Sequence, residues 1–187
     1  MKITRAALIV LTVFIADQIS KWWIVETMIK PLTLPPEADA SAMPFLQWLI
    51  SAQEQMPFAR IEIMPFFNLV MVWNKGVSFG LFNDHGDYGP LILTILAGVI
   101  AVIFSAWLVR SKNPIISLSL ALIIGGALGN MVDRIRFRAV ADFLDFHFLG
   151  AHWPAFNVAD SAITVGIAIL LIHSLFFDKK PKEASAS

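Results

Sequence analysis

The sequence predicts an all-α integral membrane protein with four transmembrane helices, a small extracytoplasmic β-hairpin or sheet and a surface amphipathic helix. Three observations carry this. The 187-residue chain is 57% hydrophobic and only 15% charged, where soluble domains carry about a quarter charged residues. Its mean hydropathy is +0.71. Uncharged runs of membrane-crossing length recur: 19 residues over Leu91–Val109, 18 over Ile115–Val132 and 17 over Ser161–Phe177. About 20 apolar residues cross a hydrocarbon core of roughly 30 Å.

A further span opens the chain. Lys2, Arg5 and the apolar Ala6–Ala16 have the order of a cleavable signal peptide, but Lys21, Trp22 and Trp23 stand where a small-residue cleavage site would be. A retained span over about 5–25 is expected instead. Its Asp17 and Lys21 are i and i+4, so they share a helix face and neutralise each other. Residues 30–89 are expected to form an extracytoplasmic loop and cap. Pro31–Met43 reads as a flexible connector. In Pro44–Met56, Phe45, Trp48, Leu49 and Ala52 recur at helical spacing, which predicts a short helix on the membrane surface. Ile61, Ile63 and most of Phe66–Trp73 are apolar, many of them β-branched or aromatic, and Asn74–Gly76 supplies turn chemistry, which predicts a hairpin or small sheet. Asn83–Gly89 is a polar turn into a second span over about 91–109. Spans over about 115–133 and 158–177 follow, and 178–187 is a cytoplasmic tail. All of it forms one membrane domain.

Four spans put both termini on one side. Lys2, Arg5, Arg110, Lys112, Lys179, Lys180 and Lys182 crowd the short segments of that side, while the much longer opposite segments hold six basic residues. The positive-inside rule makes the termini cytoplasmic and the long loops external. The formal net charge is zero; nothing calls for nucleic acid and no oligomer is implied. The absence of cysteine removes disulfides, thiol nucleophiles and thiolate metal sites.

Several polar groups stand where lipid begins. Gly125 and Gly129 form a small-xxx-small pair that lets a neighbouring helix approach. Asn130, Asp133 and Arg134 fall at i, i+3 and i+4, a cluster that reads as a functional site or as a polar clamp between helices. Asp142 and Asp145 lie in an extended segment or helix end, and Asp160 sits at the mouth of the last span with Asn157 three residues before it. Two converging carboxylates offer peptide hydrolysis without thiol or metal: like charges keep one protonated, and the other activates water. Spacing leaves other readings open. Asp142, Asp145, His147 and His152 could ligate zinc, although no H-E-x-x-H pattern occurs. Ser20 and Lys21 could form a hydrolase pair, although adjacent helical residues point about 100° apart. Asp17, Lys21, Asp133 and Arg134 could line a transporter or channel path, although no inverted repeat is visible.

Five stretches resemble those of lipoprotein signal peptidases, the type II aspartyl membrane proteases of bacteria: "DQISK" (Asp17–Lys21), "NKGVSFG" (Asn74–Gly80), "GGALGNMVDR" (Gly125–Arg134), "VADF" (Val140–Phe143) and "FNVAD" (Phe156–Asp160). They occur in the family's order. The resemblance implies that Asp142 and Asp160 are the catalytic pair and that Asn130, Arg134 and Asn157 line the site, with Asp133 in support. It makes Asp17 and Lys21 structural or substrate-adjacent, and places Asn74 and Gly76 in an external cradle. Asp145 falls outside the matched motifs, and Pro31–Arg60 looks longer than the family usually carries. The implied partners are a diacylglyceryl-modified prolipoprotein, cut just before its lipidated cysteine, and membrane lipid. The implied location is the outer face of the bacterial cytoplasmic (inner) membrane, and no metal or other cofactor is implied.

Overall fold

In lipid every backbone polar group must be satisfied internally, so apolar runs of this length become helices. The computed structural model describes residues 3–52, 54–76 and 88–177. Among the described residues, four helices are long and apolar enough to cross a membrane: Ile3–Thr33, Gly89–Arg110, Pro114–Phe137 and Val158–Phe176. The first is a composite. Helix α1 (Ile3–Trp22) runs on through a π-helical stretch, Trp23–Ile29, into α2 (Lys30–Thr33). The helical rod therefore overruns its expected end near residue 25 and absorbs the start of the expected connector. The rest of that connector is tied down: Lys30 Nζ donates to Glu26 Oε2 (3.0 Å) and to the Ser41 carbonyl (2.9 Å). The Met43 amide donates to the same Glu26 oxygen, and Trp22 Nε1 donates to the Met43 carbonyl.

Helix α3 covers only Phe45–Ile50, shorter than the helical spacing through Ala52 predicts. Its aromatic anchor grips protein: Trp48 is fully buried, 4.1 Å from the Arg136 guanidinium and 6.0 Å from the Phe137 ring. Leu46 and Ile50 face outward.

Four antiparallel strands follow in the order β1-β2-β3-β4: β1 Arg60–Met64, β2 Phe67–Asn74, β3 Val140–Phe148 and β4 Ala151–His152. The β1–β2 turn falls at Pro65–Phe66, not at Asn74–Gly76, because Pro65 has no N–H to give a ladder. Asn74–Gly76 instead forms the exit from β2, with Asn74 Oδ1 accepting from the Gly76 amide (2.8 Å) and Gly76 at φ +87°. Most of the expected Asn83–Gly89 turn lies outside the described residues, as do Val77–Gly80 and the tail 178–187.

Helices α4 (Gly89–Arg110), α5 (Pro114–Phe137) and α6 (Val158–Phe176) complete the bundle. Helix α5 is its axis, packed against α1, α4 and α6. Its glycines make that possible. A Cβ on Gly125 would lie 2.9 Å from the Val10 carbonyl oxygen of α1, and one on Gly126 would lie 2.4 Å from the Ala159 carbonyl oxygen of α6. An apolar cluster of Ile24, Val25, Ile29, Leu69, Met71, Ala141 and Phe143 then binds the first helical rod to β2 and β3. Strand β3 is thus fixed to the end of the bundle where α6 begins.

Gly126→Ala is expected to destabilise the protein by about 1–3 kcal/mol, the usual cost of overpacking a close contact. Gly98→Ala, whose new methyl would meet only Met131 Sδ at 3.8 Å, is expected to be close to neutral. Thermal unfolding in detergent checks the ranking.

Candidate functional site

The site is built on the first turn of α6. Asn157 is its N-cap: Asn157 Oδ1 accepts from the Asp160 amide (2.9 Å), and Asp160 Oδ2 accepts from the Asn157 amide (3.2 Å). This reciprocal box satisfies two donors that a helix start otherwise leaves open, and it fixes the Asp160 carboxylate at the mouth of the span. Asp142 approaches on β3, opposite Val72 of β2. Asn157 Nδ2 donates to Asp142 Oδ1 at 2.7 Å, with the Asn130 Oδ1 and the Ala141 carbonyl within 3.3 Å. Asn74 Nδ2 donates to Asp142 Oδ2 (2.9 Å), and Asn130 Nδ2 donates to Asp160 Oδ1 (2.7 Å). One residue, Asn157, therefore touches both carboxylates, Asp142 with its side chain and Asp160 with its backbone. Burial, and then the charge of Asp160, push Asp142 up to about 7 from 3.8, against the pull of the Asn74 and Asn157 donors and of Lys21. A cleft of about 440 Å³ opens beside Asp142, lined by Val72, Trp73, Asn74, Lys75, Pro154 and Ala155.

Behind the carboxylates lies a dry polar layer. Lys21 Nζ is 2.8 Å from Asp17 Oδ2 and 2.8 Å from Asp133 Oδ2, and it donates to Asn130 Oδ1 (3.2 Å). The side chains of Asp17, Lys21 and Asp133 are fully buried. Asp17 Oδ1 also accepts from the Ala159 amide of α6 (3.0 Å), and Asp133 Oδ2 from the Ala141 amide of β3 (3.2 Å). The layer thus joins α1, α5, α6 and β3. Its members are bonded to one another. Gln18 completes it by donating to Asp17 Oδ2 (3.0 Å) and Asp133 Oδ1 (3.1 Å). Gln18 lies within "DQISK" without an expected role, and its i, i+3 spacing to Lys21 is the signal in the sequence that marks it.

The expected face of Asn130, Asp133 and Arg134 divides its duties. Asp133 turns to α1 and Asn130 bridges inward and outward. Arg134 adds its charge to Asp160, Asp142 and Asp133, and its buried Nε has no hydrogen-bond partner among the described residues. Asn74 reaches the site, whereas Gly76 shapes the chain beyond it. Asp145 lies three residues along β3 from Asp142 and turns to other partners. It accepts from Asn68 Nδ2 (2.8 Å) and pairs with His152 Nδ1 (2.8 Å). Burial alone would raise it, yet the Asn68 and His152 bonds and the nearby imidazoles hold Asp145 below the usual carboxylate range. Asp142 shares none of these partners, and among the described residues no group of three or more His, Asp or Glu side chains could hold a metal ion. Ser20 Oγ donates to the Asp17 carbonyl (2.8 Å), the hydrogen bond of a helical hydroxyl to its own preceding turn.

Comparison with known proteins matches residues 9–176 to the family described as Signal peptidase (SPase) II. A lipoprotein signal peptidase of Shewanella loihica is 34% identical over 175 residues, covering 92% of this chain and 87% of its own. One from Pelagibacter ubique is 47% identical over 120 residues, 64% of this chain and 72% of its own. Among solved structures, a bacterial membrane enzyme determined by the in meso method superposes with a TM-score of 0.69 at 25% identity, covering 95% of this chain and 96% of its own.

Lys21→Met is expected to destabilise the fold by about 3–5 kcal/mol, because it leaves two buried carboxylates facing each other without their cation. Adding Asp17→Asn and Asp133→Asn is expected to recover much of the loss. Unfolding of the single and triple variants in detergent compares them.

Proposed function

The chain belongs to the signal peptidase II family, and from that premise we propose that Asp142 and Asp160 are the carboxylate pair with which it hydrolyses its substrates. The family is one of aspartic endopeptidases acting on lipoprotein signal peptides. The observation that carries the assignment is the Asn157 bridge, which holds two carboxylates from different elements together at the start of a membrane-crossing helix.

The pair holds one proton, because two like charges this close resist joint ionisation. Asp142 keeps it at rest. The other carboxylate accepts a proton from water, whose oxygen attacks the scissile carbonyl carbon while Asp142 donates a hydrogen bond to the carbonyl oxygen. Collapse of the tetrahedral intermediate breaks the C–N bond, and the departing amine takes a proton from the pair. Arg134, whose buried Nε lacks a partner among the described residues, orients the precursor backbone. Asn130 and Asn157 hold the two carboxylates in place.

The substrate in this reading is a diacylglyceryl-modified prolipoprotein, cut just before the lipidated cysteine. The membrane is the bacterial inner membrane, with both termini cytoplasmic and the strands and α3 on the outer side. Physical placement supports it. A lipid-anchored precursor presents its scissile bond at headgroup depth, and Asp160 stands at the entrance of α6.

Asp142→Asn and Asp160→Asn are each expected to lower cleavage of a diacylglyceryl-modified precursor by about 10²–10⁴-fold, with the melting temperature retained and chelator without effect on the wild type. Near-normal turnover by either variant would sink the assignment. Activity is also expected to fall as pH rises through about 7, where the shared proton is lost. Folding stability responds in the same direction. The native Asp142 binds its proton more tightly than the unfolded chain does, so its contribution is complete below 3.8 and disappears as pH rises through about 7. Asp142→Asn should therefore gain stability relative to wild type at alkaline pH and show no such gain in acid.

A further inference from the structure

The short hairpin beyond the cleft carries an ion pair that the chemistry above does not use. Strand β4 has two residues, and its ladder to β3 has two pairs, His147–His152 and Phe148–Ala151. The turn between them holds Leu149 at φ 49° and Gly150 at φ 82°. A ladder this short is marginal by itself. Yet the chain leaving it, through Trp153, becomes the Pro154–Ala155 wall of the cleft facing Asp142. That wall is a short span between two tethers: the Trp153 amide on the Phe146 carbonyl (2.8 Å), and Phe156 paired with Leu144 (2.9 and 3.1 Å). Pro154 has no N–H to add a third.

We propose that Asp145 and His152 form a clamp at the β3–β4 ladder that positions the Pro154–Ala155 wall against the precursor. The buried Asp145 takes His152 Nδ1 on both oxygens (2.8 and 3.0 Å) and Asn68 Nδ2 on one (2.8 Å), so a single carboxylate ties β4 and β2 to β3. The His147 ring stacks on His152 at 4.9 Å and covers one face of it. Asp145 is three residues along β3 from Asp142 and bonds none of its partners, so the clamp works through the strand's backbone. His152 and Asp145 are positioning residues, and the inference rests on the reading of Asp142 and Asp160 as the reacting pair.

Because the His152 side chain is 46% exposed, solvent screens the pair and its effect is moderate. His152→Ala is expected to raise KM for a diacylglyceryl-modified precursor about three- to ten-fold and to leave kcat within about twofold. His152→Asn, which keeps an amide donor, is expected to recover at least half of that change. Combined with Asp145→Asn, which still offers Asn68 an acceptor, His152→Ala is expected to add little to the single variant's effect. A loss of purely structural origin would instead lower apparent kcat and melting temperature together at constant KM. Hydrogen exchange at the Trp153 and Phe156 amides, which needs no substrate, is expected to rise about tenfold in His152→Ala. Unchanged exchange, unchanged KM, or fully multiplicative effects in the double variant would each overturn the clamp. Where His152→Ala fails to fold, His152→Asn and Asp145→Asn carry the same comparisons. A wild type that exchanges as expected but cleaves no lipid-modified precursor overturns the reading of the reacting pair and leaves the clamp to be judged by exchange alone.

Discussion

A single buried ammonium holds this structure together. Lys21 meets Asp17 of its own helix and Asp133 of the central helix, and both carboxylates also accept from Gln18 and from backbone amides of α6 and β3. Charges taken out of water are costly unless each is paired and hydrogen-bonded. Here that requirement is met only when four separate elements arrive together. The layer therefore acts as a registration device: a helix displaced by one turn leaves a buried carboxylate without its partner. Asn130 translates this registry outward, since the oxygen that accepts from Lys21 and the amide that donates to Asp160 belong to one planar group.

Close packing and the polar layer depend on each other. Gly126 and Gly129 bring α6 and α1 near enough to the central helix for the Asp17 and Ala159 contact to form. The same approach brings Asn157, and with it the two carboxylates of the proposed chemistry, to the lip of the bundle. The sheet contributes by bearing on the first helical rod through Ile24, Val25 and Ile29. Asp142 is held between a strand that cannot slide and a helix start that cannot turn.

The bundle was legible because lipid imposes a strict rule on composition and length: the four apolar runs in sequence are the four long helices. Asn130, Asn157, Asp142 and Asp160 could be named because polar groups at a membrane boundary stand out against apolar neighbours, and because motif order supplied what spacing alone left open. Their mutual distances could not be read, since they depend on the approach of three helices and a strand. The misreadings have tertiary causes as well. The first helical rod continues past Val25 because Glu26 finds Lys30 and the Met43 amide, neither of which a window of hydropathy registers. Turn propensity favours "NKG" for the hairpin turn, while the missing N–H of Pro65 sets it at Pro65–Phe66. Trp48 looked like a membrane anchor until Arg136, 88 positions away, was seen to cover it.

The reciprocal cap at the start of α6 has a consequence for how this protein can vary in length. Asp160 takes its direction from the rotation of α6, and that rotation is fixed by the contact of Gly166 with Ser119 and Ile123 about one and two-thirds turns further along. Each residue inserted between them would swing the carboxylate by about 100° about the helix axis, away from Asn130 and Asp142. Insertions among the residues that join the strands leave this phase untouched. Lineages of such a chain are thus free to lengthen their caps and bound to keep one count of residues in the opening turns of the last helix.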